Sequence, residues 1–122
     1  MSLKAYIVED NPKIRDNLIA TLEELTDVRA VGFADNETEG KCWLMQHQDE
    51  WDLAILDLFL KQGNGLEILA VCKRTMPAKM VVVLSNYATV DVRERCKKLG
   101  ADAVFDKSNE IEALLEFCNQ QN

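Results

Sequence analysis

The chain has 122 residues, with 21 acidic against 14 basic side chains, a net charge of −7, and 48% hydrophobic and 29% charged residues. That length suits one domain that buries its own core, and the composition is not that of a disordered chain. No apolar run approaches the roughly 20 residues of a spanning helix, and the acidic balance argues against direct contact with nucleic acid, whose phosphates want a basic face.

The N-terminus carries neither the basic nor the apolar segment of a signal peptide, so a cytoplasmic location is expected; Met1, Ser2 and Leu3 receive no structural weight. The first strand is expected over 4–9, where KAYIVE is rich in β-favouring residues. Asn11 as N-cap and Pro12 in the first turn then open a helix with Ile14, Leu18, Leu22 and Leu25 as its apolar stripe. VRAVGFA, over 28–34, reads as the second strand, and Asn36 with Glu39 as a capping box for a helix with Trp43, Leu44 and His47 on one face. LAILD, over 53–57, is the third strand. A helix from Gly65 to Met76 follows and stops before Pro77. MVVVLS, over 80–85, is the fourth strand, followed by a helix from Thr89 to Leu99 that Gly100 terminates. AVFD, over 103–106, is the fifth, and Ile111, Leu114, Leu115 and Cys118 mark the last helix. Cys42, Cys72, Cys96 and Cys118 form no C-x-x-C pair and fall among apolar helical residues, so they read as small buried hydrophobes. His47 has no partner at ligand spacing and reads as surface or packing.

Strict alternation of strand and helix, with the third and fourth strands almost wholly apolar, predicts an α/β fold: a doubly wound five-stranded parallel sheet covered by helices on both faces. The expected strand order is the flavodoxin-like 2-1-3-4-5, with ligands bound beyond the carboxyl ends of strands 1 and 3. Those ends deliver Glu9 and Asp10, then Asp57, Ser85, and Asp106 with Lys107. Clustered carboxylates repel by roughly 4 kcal/mol per pair at about 4 Å and an effective dielectric constant of about 20. A divalent cation removes that cost, and an all-oxygen set with open positions suits Mg²⁺. Metal, acceptor carboxylate, ammonium and hydroxyl together fit transfer of a phosphoryl group, with Asp57 as nucleophile.

The acidic pair after the first strand, LAILDLFLKQGNGLEIL around Asp57, VVVLSN ending at Ser85 and Asn86, and KLGADAVFDKS around Lys107 resemble the receiver domain of two-component response regulators, the chemotaxis-regulator-like family. The resemblance covers nearly the whole chain and implies a single receiver domain over 1–122, without an output domain in this chain. It implies that Asp57 is phosphorylated by a histidine kinase or histidine phosphotransfer protein. Asp10, Asp57 and the backbone carbonyl of Phe59 would ligate Mg²⁺, with Glu9 acting through a metal-bound water. Lys107 would contact the phosphoryl group and Ser85 would move to it after transfer. Such a module is a switch that catalyses only its own phosphorylation and dephosphorylation; it is not an enzyme acting on an external substrate. Its partners would be the phosphodonor and a downstream protein target or output domain, and a homodimer is compatible with it.

Several positions depart from the family pattern. Lys61 stands where proline is frequent, and Gly63 and Gly65 are expected to keep that loop mobile; Ser108 replaces the proline after the lysine, which makes a cis bond less expected. Val104 occupies the place of the usual aromatic switch residue, and Phe105 points to the opposite face. Coupling is therefore expected through the loop containing Asn86 and Tyr87. Phe59 and Tyr87 are placed to flank a phosphoryl group and slow its hydrolysis. Arg93, Arg95, Lys97 and Lys98 read as a solvated helix face. Two other functions compete. A degenerate receiver would act as a phosphorylation-independent interaction domain; a flavodoxin-like cofactor binder is disfavoured because EDNP offers carboxylates where a phosphate cradle needs amides and hydroxyls.

Overall fold

A computed structural model of the chain describes residues 2–121. Its elements are β1 (Leu3–Val8), α1 (Pro12–Leu25), β2 (Val28–Ala34), α2 (Glu37–Gln46), a short 3₁₀ turn (Gln48–Glu50), β3 (Leu53–Leu56), α3 (Gly65–Thr75), β4 (Met80–Ser85), α4 (Val90–Lys98), β5 (Ala103–Asp106) and α5 (Ile111–Gln120). The strands form one sheet in the order β2-β1-β3-β4-β5, and all pairs are parallel, as the alternation predicts.

Alternation along the strands sorts the apolar residues into two cores. Tyr6, Val8, Ala54, Leu56, Val81 and Val83 face one side and pack with Leu44 of α2, Ile68, Leu69 and Cys72 of α3, and Cys96 of α4. Ile7, Leu53, Ile55, Val82 and Leu84 face the other, with Leu18 and Leu22 of α1 and Leu114 and Cys118 of α5. Burial on both faces explains why β3 and β4 read as almost wholly apolar, with only Ser85 at the end of β4 polar. Val104 belongs to the first core and Phe105 to the second, where it meets Phe117 edge-on at 6.0 Å.

The caps expected at Asn11 and Asn36 form: Asn11 accepts from the Lys13 and Ile14 amides and Asn36 from the Glu39 amide, while Thr89, expected as the first helical residue, is the N-cap of α4 and accepts from the Val92 amide. Gly100 closes α4 with φ of 101°, a left-handed conformation that glycine adopts without strain. Four expectations need correction. Leu3 is a buried member of β1 paired with Val28, so the terminus starts the sheet one residue earlier than expected. Glu9 and Asp57, expected as the last residues of their strands, lie just past them at the carboxyl edge of the sheet. Ile14 and Leu25 are exposed because one reaches the cleft at the sheet's edge and the other is the last residue of α1. Cys42 is exposed, unlike Cys72, Cys96 and Cys118; it lies on the side of α2 opposite buried Gly40 and Leu44. His47 stacks on Trp43 with centroids 4.6 Å apart, in keeping with a packing role. The peptide bonds of the described residues are all trans, that before Ser108 included.

Candidate functional site

Parallel register brings the site together. Val8 pairs with Leu56, and the Asp57 amide donates to the Val8 carbonyl at 2.9 Å, so Glu9 and Asp10 emerge beside Asp57. Ser85 pairs with Asp106, and the Lys107 amide donates to the Ser85 carbonyl at 3.0 Å, which brings the lysine to the same edge. The Lys107 ammonium spans the gap: it donates to Asp57 Oδ2 at 2.9 Å and to Glu9 Oε1. All three side chains are nearly enclosed, at 9%, 8% and 4% exposure for Lys107, Asp57 and Glu9. Burial pushes the Glu9 carboxyl above its usual range, against the opposing pull of its hydrogen bond to Lys107. Burial works to lower the Lys107 ammonium, but its hydrogen bonds to Glu9 and Asp57 override this and hold it above its ordinary value.

The remaining carboxylate oxygens take backbone donors. The Phe59 amide reaches Asp57 Oδ1 at 3.3 Å, the Asn11 amide Glu9 Oε2 at 3.1 Å, and the Lys61 amide Asp10 Oδ2 at 2.8 Å. One carboxylate oxygen each from Glu9, Asp10 and Asp57 lies within 4.8 Å of the others. Three carboxylates with one ammonium leave an excess of negative charge, and an oxygen-only donor set fits a hard divalent cation. They floor an open cleft of about 210 Å³ whose rim includes Phe59, Asn86 and Tyr87. The rings of Phe59 and Tyr87 meet edge to face at 5.3 Å over this mouth. The cleft thus joins a buried carboxylate, Asp57, paired with the Lys107 ammonium, a cation-competent acidic cluster and an aromatic rim.

The family model described as response regulator receiver domain matches residues 5–119. The chain belongs to that family. It is 32% identical over 112 residues to a putative transcriptional regulator of Pseudomonas aeruginosa, covering 92% of this chain and 53% of that protein. It is 30% identical over 114 residues to the response regulator protein PilR of the same organism, covering 93% of this chain and 24% of PilR. The receiver therefore spans about half of the first relative and a quarter of the second. Its fold matches that of a CheY-like response regulator receiver domain protein from Methanospirillum hungatei with a TM-score of 0.84, at 24% identity over 99% of this chain and 94% of that one.

Three features of this receiver escape sequence reasoning. Ser85 is fully buried, and its hydroxyl accepts from the Tyr87 amide at 3.0 Å, so it braces the β4–α4 loop at the margin of the cleft. Arg93 is not part of a solvated face. Its guanidinium donates to the Ala88 carbonyl at 2.9 Å, to the Val104 carbonyl at 3.0 Å and to Glu110, tying that loop to β5 and the start of α5; Arg95, Lys97 and Lys98 are exposed as expected. Gly63 and Gly65 serve close approach: a Cβ at Gly65 would lie 2.2 Å from the Asp57 carbonyl oxygen, and one at Gly63, where φ is 86°, 2.3 Å from Glu37 Cβ. The basic run hid Arg93, and no residue letter reveals a backbone donor such as the Lys61 amide.

Proposed function

We propose that this receiver accepts a phosphoryl group on Asp57 from a histidine kinase or histidine phosphotransfer protein in the cytoplasm, and that the acyl phosphate alters binding of a downstream target. The observation that carries the reading is the Lys107 ammonium held 2.9 Å from Asp57 Oδ2 inside an acidic cleft. In the transfer, the bond from phosphorus to the donor histidine nitrogen breaks as an Asp57 oxygen bonds to phosphorus, and the imidazole departs with the bonding electron pair. Lys107 supplies a fixed positive charge next to the oxygens that gain charge. Asp10, Asp57 and the Phe59 carbonyl would hold Mg²⁺, with Glu9 beside them. When bound, the cation would offset the charge of the transferring phosphoryl oxygens.

Val104 is buried and has no aromatic lever to swing, so the proposed readout runs through Ser85, Asn86 and Tyr87. Movement of the Ser85 hydroxyl toward a phosphoryl oxygen would release the Tyr87 amide. The Arg93 bonds to Ala88 and Val104 would then pass the shift to α4 and β5. Incubation with acetyl phosphate and Mg²⁺ should add one phosphoryl mass to the protein and none to Asp57→Asn; an unmodified wild type would overturn the reading.

The aromatic rim supports a slow switch. Phe59→Ser combined with Tyr87→Ser is expected to shorten the lifetime of the phosphorylated form about tenfold by admitting water to the acyl phosphate. Decay of the modified mass after removal of acetyl phosphate measures this, and an unchanged lifetime rejects the rim as a water barrier.

A further inference from the structure

The β3–α3 loop is anchored from an element remote in sequence. Glu37, the first residue of α2, donates its amide to the Gln62 carbonyl at 3.1 Å and accepts the Asn64 amide on Oε1 at 3.0 Å. Its second oxygen accepts from Lys41 Nζ at 3.1 Å, one turn along α2. These bonds hold the Glu37 carboxyl below the usual range, with the Asn64 amide as the main cause. Gly63 presses against the Glu37 side chain so closely that no Cβ fits between them. Phe59 and Asn64 pair across the loop as an antiparallel bridge. At the loop's inner side, the Lys61 amide holds Asp10 Oδ2. Glu37 thus grips residues 62 and 64, and residue 61 between the grip and the cleft orients an acidic ligand.

We infer that Glu37 is a positioning residue for the cation site: by fixing the loop on α2 it sets the Lys61 amide against Asp10 and the Phe59 carbonyl at the cleft. The inference rests on the proposal that Asp10, Asp57 and Phe59 hold Mg²⁺. Glu37 lies outside the cleft and touches no proposed ligand, so its effect passes wholly through the backbone of residues 59–64. Outer groups that orient metal ligands typically alter affinity by about tenfold or more.

Mg²⁺ titration of the full chain, followed by the amide NMR shifts of Phe59 and Lys61, tests this. Glu37→Ala should weaken Mg²⁺ binding about tenfold and speed hydrogen exchange of the Lys61 amide even without the ion. Glu37→Gln keeps an acceptor for the Asn64 amide and should bind like wild type, as should Lys41→Met, which removes only the pairing along α2. Gly63→Ala, which pushes the loop off Glu37 from the other side, should match Glu37→Ala. An affinity and an exchange rate in Glu37→Ala equal to wild type would overturn the inference, as would equal losses in Lys41→Met. A wild type that fails to bind Mg²⁺ at all overturns the cation site itself, so the two failures are distinguishable.

Discussion

Lys107→Met is expected to slow phosphorylation of Asp57 about a hundredfold and, without added divalent cation, to lower the free energy of unfolding by about 3 kcal/mol. Both effects come from one ammonium shared between two enclosed carboxylates, Glu9 and Asp57. In the folded protein it is the cation that lets them stay buried next to each other; without it each faces the other's charge with little solvent to screen it. Methionine keeps the length and apolar stem of the side chain, so the loss reflects the missing charge and not a cavity. Urea unfolding followed by circular dichroism gives the stability, and the rate of mass gain with acetyl phosphate gives the chemistry. Mg²⁺ should restore part of the stability of Lys107→Met. Asp57→Asn removes one of the like charges and should be at least as stable as wild type when cation is absent. Equal stability of Lys107→Met and wild type without cation would show that the carboxylates do not depend on Lys107.

Gly65→Ala is expected to cost about 3 kcal/mol, the upper end of over-packing losses, and to remove phosphorylation with it. The obstacle is the backbone at Asp57, the proposed phosphoacceptor: the new methyl carbon would stand 2.2 Å from the Asp57 carbonyl oxygen and 3.1 Å from Leu58 Cα. Neither atom can yield without moving Asp57 or breaking the bond from the Gly65 amide to the Leu58 carbonyl, now 3.0 Å. Gly40→Ala is the control. Its nearest obstacle is a Val8 side-chain methyl at 3.0 Å, which can shift, so a loss of about 1 kcal/mol is expected there. Urea midpoints of the two variants decide the matter; a Gly65→Ala protein that unfolds like wild type contradicts this account of the loop.

The sheet was legible because its strands carry their own signal. LAIL and MVVVL are buried on both faces and so are apolar without interruption, and the helices α1 to α4 each follow a residue whose side chain caps them. The joint location of Glu9, Asp10, Asp57, Ser85 and Lys107 followed from strand order alone. What periodicity could not supply is where an apolar stripe meets an opening or a helix end, which is why Ile14 and Leu25 stand exposed. Composition was equally blind to direction: Cys42 resembles the other three cysteines in its neighbours and differs only in the side of the helix it occupies. Arg93 looked like one more surface charge because its partners are two carbonyls and a glutamate distant along the chain. Every residue but proline brings a backbone N–H as well as a carbonyl, so the Lys61 amide that sets Asp10 leaves no trace in residue type.

The placement of the two tryptophans has a practical consequence. Trp51 is wholly enclosed and Trp43 lies against Tyr6 at 4.3 Å, both in the core on the α2–α4 side of the sheet, while the cleft is lined by a phenylalanine and a tyrosine. Indole emission therefore reports melting of the core and is a poor optical probe of ion loading, for which Tyr87 at the rim is the natural chromophore.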